Sequence, residues 1–143
     1  MAHRRWRWLL CVALACSLCL PVSAAPSQKD AQDHGIALSL AWAKEEGILL
    51  GTGPDQLTPN GEATRAMAVT VLHRYAGTPQ ANSSHPFSDV PAEAYYADAV
   101  AWAAGNEIVT GYSKEKFGPD DAITREQLAA ILYRYAQYKN IDV

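Results

Sequence analysis

The sequence predicts an all-α protein built from two helix–loop–helix repeats in tandem. Two observations carry that expectation. First, the chain matches itself at an offset of sixty residues without a gap. Ala41-Trp42-Ala43 matches Ala101-Trp102-Ala103, Ile48 and Gly51 match Ile108 and Gly111, and Pro59 matches Pro119. Thr64-Arg65 matches Thr124-Arg125, and Leu72-x-Arg74-Tyr75-Ala76 matches Leu132-x-Arg134-Tyr135-Ala136. Second, each copy carries apolar residues at helical spacing on both sides of a connector rich in Gly and Pro. A fixed period means two copies of one supersecondary unit, each needing neighbours to cover its apolar face.

Residues 1–24 stand apart from these repeats. Arg4, Arg5 and Arg7 form a basic start, Trp8 to Leu20 is an apolar run, and Val22-Ser23-Ala24 supplies small residues at a cleavage position. That is the pattern of a secretory signal peptide. The competing reading is an uncleaved anchor, for which the run falls short of the ~20 residues a span needs. Cys11, Cys16 and Cys19 all lie in this segment, so the exported chain is expected to hold no disulfide and no Cys-ligated metal. Its stability must come from an apolar core. Loss of the three leader arginines leaves nine basic against fifteen acidic residues, a net charge near −6. That balance argues against a general nucleic-acid surface or an anionic-membrane surface.

Residues 25–33 are a polar leader, and 34–78 form repeat 1. A helix is expected from about Asp33 to Glu46, ended by Gly47 as its C′ residue. Gly51 to Pro54 and Pro59 to Gly61 make an irregular connector. A second helix should open at Thr64 as N-cap and run to about Ala76, with Ala68, Val71, Leu72 and Tyr75 as its apolar stripe. Residues 79–86 are a solvated linker, and Asn82-Ser83-Ser84 within it is a weak glycosylation match. Repeat 2 spans 87–138. Its first helix is expected from about Ala92 to Asn106. Its second opens at Thr124, where Gln127 completes a capping box. Leu128, Ile131, Leu132 and Tyr135 form its stripe, and 139–143 are a tail. Trp42 and Trp102 are expected to be core anchors, with sugar stacking as the competing role.

The duplicated Thr-Arg corner is the candidate site. Arg65 and Arg125 each follow an N-cap, where the helix dipole disfavours a cation. A guanidinium beside free N–H groups concentrates attraction for an anion, and Arg holds a planar carboxylate with two parallel hydrogen bonds. The competing reading is an internal ion pair with Glu62, Asp89, Asp120 or Asp121. Other chemistry lacks support. The histidines have no ligand spacing, and the adjacent acids Glu45-Glu46 and Asp120-Asp121 are a poor glycosidase pair. With no Gly-x-Ser-x-Gly, phosphate loop or exported thiol, neither catalysis nor a cofactor or metal is expected.

Several segments of repeat 2 together resemble the S-layer homology family. They are Phe87-x-Asp89-Val90, Ala99-Val100-Ala101-Trp102-Ala103, Ile108-Val109-Thr110-Gly111-Tyr112, Phe117-x-Pro119, Ile123-Thr124-Arg125-Glu126 and Leu132-Tyr133-Arg134-Tyr135. Repeat 1 departs from the pattern. Thr64-Arg65-Ala66-Met67 lacks the acid at the fourth place, and no Phe-x-Asp-Val precedes Trp42. The resemblance implies tandem repeats packed as part of a pseudo-threefold helical bundle. It also implies a non-catalytic anchor at the bacterial cell surface that binds secondary cell-wall polysaccharide bearing an acidic pyruvyl group. By the family pattern, Arg65 and Arg125, with Thr64 and Thr124, would hold the acid. Gly51 and Gly111 would let the backbone approach the sugar, and Asp89 and Trp102 would shape the groove. The family's usual three repeats imply a further chain of this kind as a partner completing the bundle. The alternative function is an envelope adaptor that binds proteins through an exposed helical face.

Overall fold

The computed structural model describes residues 37–53, 56–81 and 84–142. The signal peptide, the polar leader and the glycosylation match fall wholly or partly outside the described residues. Among the described residues four helices form: α1 (Ala37–Glu45), α2 (Arg65–Tyr75), α3 (Ala97–Gly105) and α4 (Arg125–Tyr138). Among the described residues there is no named strand, only the isolated bridges Gly53–Gln56 and Thr64–Ala122.

The starts of α2 and α4 follow from their caps. Thr64 Oγ1 accepts from the Met67 N–H at 3.2 Å. Thr124 Oγ1 accepts from the Gln127 N–H, and Gln127 Oε1 accepts from the Thr124 N–H, each at 3.2 Å, which completes the box. All four helices end in one way. A residue with positive φ follows the C-cap: Gly47 (69°), Gly77 (87°), Glu107 (59°) and Asn140 (54°). The next N–H then returns to the last turn, as Ile48 to the Ala43 carbonyl (2.9 Å) and Ile108 to the Ala103 carbonyl (2.8 Å).

Helix α3 begins at Ala97, not Ala92. Pro91 opens two tight turns, closed by Ala94 N–H to the Pro91 carbonyl and Ala97 N–H to the Ala94 carbonyl, and these use residues 91–96 before the helix starts.

The core is built mostly from repeat 2, and α2 of repeat 1 packs onto it. Helices α2 and α3 are the pair that packs extensively. Val69 and Leu72 from α2 join Val100, Trp102 and Ala103 from α3, with Phe87, Ile108, Phe117, Ile131 and Tyr135. This changes which face of α2 is apolar in practice. Of the expected stripe Leu72 is buried, but Ala68 and Val71 are half-buried and Tyr75 is exposed, while Ala66, Val69, Thr70 and His73, at i, i+3, i+4, i+7, are buried. The expected α2 stripe was set by the repeat's own contacts, but the neighbouring repeat decides the burial. On α4, Ile131 and Tyr135 are buried as expected, while Leu128 and Leu132 are exposed.

Trp102 is a core anchor at 1% exposure, but Trp42 is 54% exposed, contrary to expectation. Trp102 is enclosed by His73 of the preceding repeat (ring centroids 5.2 Å), Tyr138 (5.8 Å) and Tyr135 (6.4 Å). Sixty residues earlier, Thr78 stands in place of Tyr138 and Tyr75 faces solvent, so Trp42 lacks this aromatic cover.

Candidate functional site

The two Thr-Arg corners have opposite surroundings. At the start of α2 the N–H groups are not free for an anion. Arg65 N–H donates to the Asp121 carbonyl (2.9 Å) and Ala66 N–H to the Pro119 carbonyl (3.0 Å). In return, Ile123 N–H donates to the Ala63 carbonyl at 3.0 Å. The connector of repeat 2 thus caps a helix of repeat 1.

The Arg65 side chain fastens the same junction and is only 5% exposed. Its Nε donates to the Phe117 carbonyl (3.0 Å) and an Nη to the Thr110 carbonyl (3.1 Å). The guanidinium carbon lies 4.6 Å from the Tyr112 ring centroid and 4.8 Å from that of Phe117. Two ring faces and two carbonyls satisfy a buried cation without a carboxylate. The expected ion pair is absent: neither arginine pairs with an acid among the described residues.

Asp89 holds the loop that receives Arg65. Its Oδ1 accepts from Phe117 N–H and its Oδ2 from Gly118 N–H, both at 2.8 Å. Burial opposes the carboxylate's charge. The N–H groups of Phe117, Gly118 and Asp89 itself, with the Lys116 charge, outweigh it and hold the pKa below the usual aspartate value. Gly111 sits inside this loop. A Cβ there would meet the Lys116 carbonyl oxygen at 2.4 Å and the Phe87 ring at 2.6 Å, so the close approach is to the protein's own loop. Gly51 adopts φ 90° at the equivalent place in repeat 1.

Arg125 is exposed at the first position of α4. Among the described residues neither its guanidinium nor the N–H groups of Arg125 and Glu126 have a partner; Thr124 Oγ1 serves only Gln127. The structure therefore brings Thr64, Arg65, Asp89 and Gly111 together around one inter-repeat junction. Trp102 lies beneath it in the core, and Thr124-Arg125 and Gly51 belong to other parts of the surface. A separate open depression borders Gly111 and is walled by Phe87, Val109, Thr110, Ser113 and Lys114, among others, but by neither arginine.

Sequence reasoning missed Tyr112, Phe117 and the carbonyls that take Arg65. Tyr112 and Phe117 left a trace, because they are aromatic where repeat 1 has Thr52 and Leu57. Backbone acceptors leave none. Among the described residues no group of three or more metal-ligating side chains occurs, and no helix is long and apolar enough to cross a membrane.

A helical repeat module, with one repeat clamped onto the next through an arginine, is the class this arrangement defines. Residues 86–129 match the S-layer homology domain, so this part of the chain carries an S-layer homology domain. It is 31% identical over 140 residues to an endoglucanase of Bacillus sp. (strain KSM-635), covering 91% of this chain and 15% of that protein. It is 31% identical over 122 residues to the surface-layer 125 kDa protein of Lysinibacillus sphaericus, covering 84% of this chain and 10% of that protein. A middle cell wall protein of Brevibacillus brevis is 28% identical over 97 residues, covering 65% of this chain and 9% of that protein. The chain thus spans 15% or less of the length of these relatives.

Proposed function

We propose that this chain is a non-catalytic anchoring module of the bacterial cell surface that binds secondary cell-wall polysaccharide through an acidic, pyruvyl-type group. The S-layer homology domain and the surface-layer and cell-wall relatives support the anchoring role and the cell-surface location. The endoglucanase relationship does not make the chain an enzyme, since the match spans 15% of that protein.

The observation that carries the ligand chemistry is the open Thr124-Arg125 corner. There an exposed guanidinium stands beside N–H groups that have no protein partner among the described residues. A carboxylate seated there meets fixed donors and a full positive charge together. Arg65 is the weaker seat, because two of its donors are spent and Tyr112 lies over it.

Co-sedimentation with purified cell-wall sacculi, with and without pyruvyl groups on the glycan, tests this reading. Arg125→Ala should weaken binding by about 1.5–3 kcal/mol, the range for a charged hydrogen bond. Removing the pyruvyl groups should weaken it comparably. Sedimentation unchanged by both treatments would reject the site.

A further inference from the structure

The helix ends away from the Thr-Arg corners carry a cluster of tyrosines. Tyr75 is the last residue of α2, and Tyr135 and Tyr138 lie in the last turn of α4. Arg125 opens α4 and Tyr138 closes it, so the two lie roughly 20 Å apart along the helix axis. Two of the rings are pinned by the core. Tyr138 meets Trp102 edge-on, with ring centroids 5.8 Å apart and planes at 88°. Tyr135 meets it at 6.4 Å and 65°, and the two tyrosine rings are 6.2 Å apart. Tyr75 completes the group. Burial raises the Tyr135 pKa first, and the neighbouring phenols of Tyr75 and Tyr138 raise it further.

The cluster is open on its outer side: Tyr75 is 63% exposed and Tyr138 39%. Its oxygens are also unspent. Among the described residues the hydroxyls of Tyr112 and Tyr133 accept from glutamines, whereas those of Tyr75, Tyr135 and Tyr138 have no partner. The edge of a core needs ring surface rather than oxygen, and phenylalanine would fill the same space. Three phenols with free hydroxyls at one rim are surplus to packing.

We propose that Tyr75, Tyr135 and Tyr138 form a platform for neutral sugar rings of a wall glycan, separate from the acid seat at Arg125. A pyranose has an apolar C–H face and a rim of hydroxyls. A tyrosine offers a ring face beside an oxygen that both gives and takes a hydrogen bond. Rings already held by Trp102 lose little freedom when a sugar settles on them. A polymer, unlike a single sugar, can touch the platform and the Arg125 corner together, and each contact raises the effective concentration at the other. The inference takes its ligand class from the glycan-anchoring reading, but it uses neither arginine nor the pyruvyl group.

The test is isothermal titration calorimetry with wall polysaccharide released from sacculi and stripped of its pyruvyl groups. The unaltered chain should retain weak, measurable binding to this neutral polymer, and Arg125→Ala should leave that binding unchanged. Tyr75→Ser and Tyr138→Ser should each weaken it by about fivefold or more. Tyr75 is mostly solvated, so Tyr75→Ser should keep its helicity by circular dichroism even if Tyr138→Ser loses some. Tyr75→Trp should bind at least as well as the unaltered chain, because a larger ring stacks better; a purely structural tyrosine would not give that result. No binding of the stripped polymer to the unaltered chain overturns the platform and leaves the acid seat standing. Full affinity in folded Tyr75→Ser overturns it too. Intact polymer that binds no better than stripped polymer rejects the acid seat instead.

Discussion

Thr64-Arg65 and Thr124-Arg125 are the same dipeptide at the same helix position, yet one is a buried fastening and the other an exposed cation. The difference comes from what lies next to each corner, because in both the Thr hydroxyl accepts from the N–H three residues on. Arg65 has a following repeat whose connector offers carbonyls and aromatic faces. Arg125 has no such neighbour among the described residues. The same contrast separates Trp102 from Trp42 and Leu72 from Leu132. In a repeat protein a residue's role is set by its interface as much as by its own unit.

The tryptophans should give the largest contrast. Trp102→Ala empties an enclosed aromatic site and should cost about 3–5 kcal/mol, while Trp42→Ala removes a mostly solvated ring and should cost less than about 1.5 kcal/mol. Chemical denaturation of the two variants measures both. Comparable losses would mean that Trp42 is enclosed after all.

Asp89 tests whether the loop receiving Arg65 is held from behind. Asp89→Asn keeps the shape but loses the charge, and should cost about 2 kcal/mol at neutral pH. The sign with pH follows from the lowered pKa. The folded carboxylate contributes stability above the ordinary aspartate value, and the contribution fades as pH falls through the lowered one. The gap between the unaltered chain and Asp89→Asn should therefore close in acid. Urea midpoints across pH would show this; a gap that persists below the lowered pKa would remove the electrostatic explanation.

The smallest effect concerns the helix ends. Gly47 and Glu107 occupy equivalent C′ positions with positive φ, and only the first is the residue suited to it. Glu107→Gly should stabilise the chain by about 0.5–1 kcal/mol, since relief of strain exceeds the entropy glycine adds to the unfolded state. Differential scanning calorimetry would resolve it as a raised Tm.

Local features were the legible ones. The duplication, the Thr64 and Thr124 caps, the capping box at Gln127 and the Gly47 stop depend on residues within a turn of one another. The start of α3 lies at Ala97 rather than Ala92 because the turns that Pro91 opens use residues 91–96, and a turn of that kind is hard to tell from the first turn of a helix in the sequence. Burial was harder, because Val69 and His73 become core only when α3 arrives from thirty residues further along. For Arg65 the sequence allowed an acid inside the protein or one outside it. The actual partners are carbonyl oxygens, which every residue carries and no residue type signals.

Thermal unfolding of Arg65→Ala beside Arg125→Ala tests the central contrast most directly. Arg65→Ala leaves two carbonyls without their donor and removes two cation–π contacts, costing about 3 kcal/mol. That corresponds to a Tm lower by roughly 10 °C or more for a domain of this size. Arg125→Ala should fall within about 0.5 kcal/mol of the unaltered chain. Equal shifts for the two variants, or a larger one for Arg125→Ala, would contradict the account.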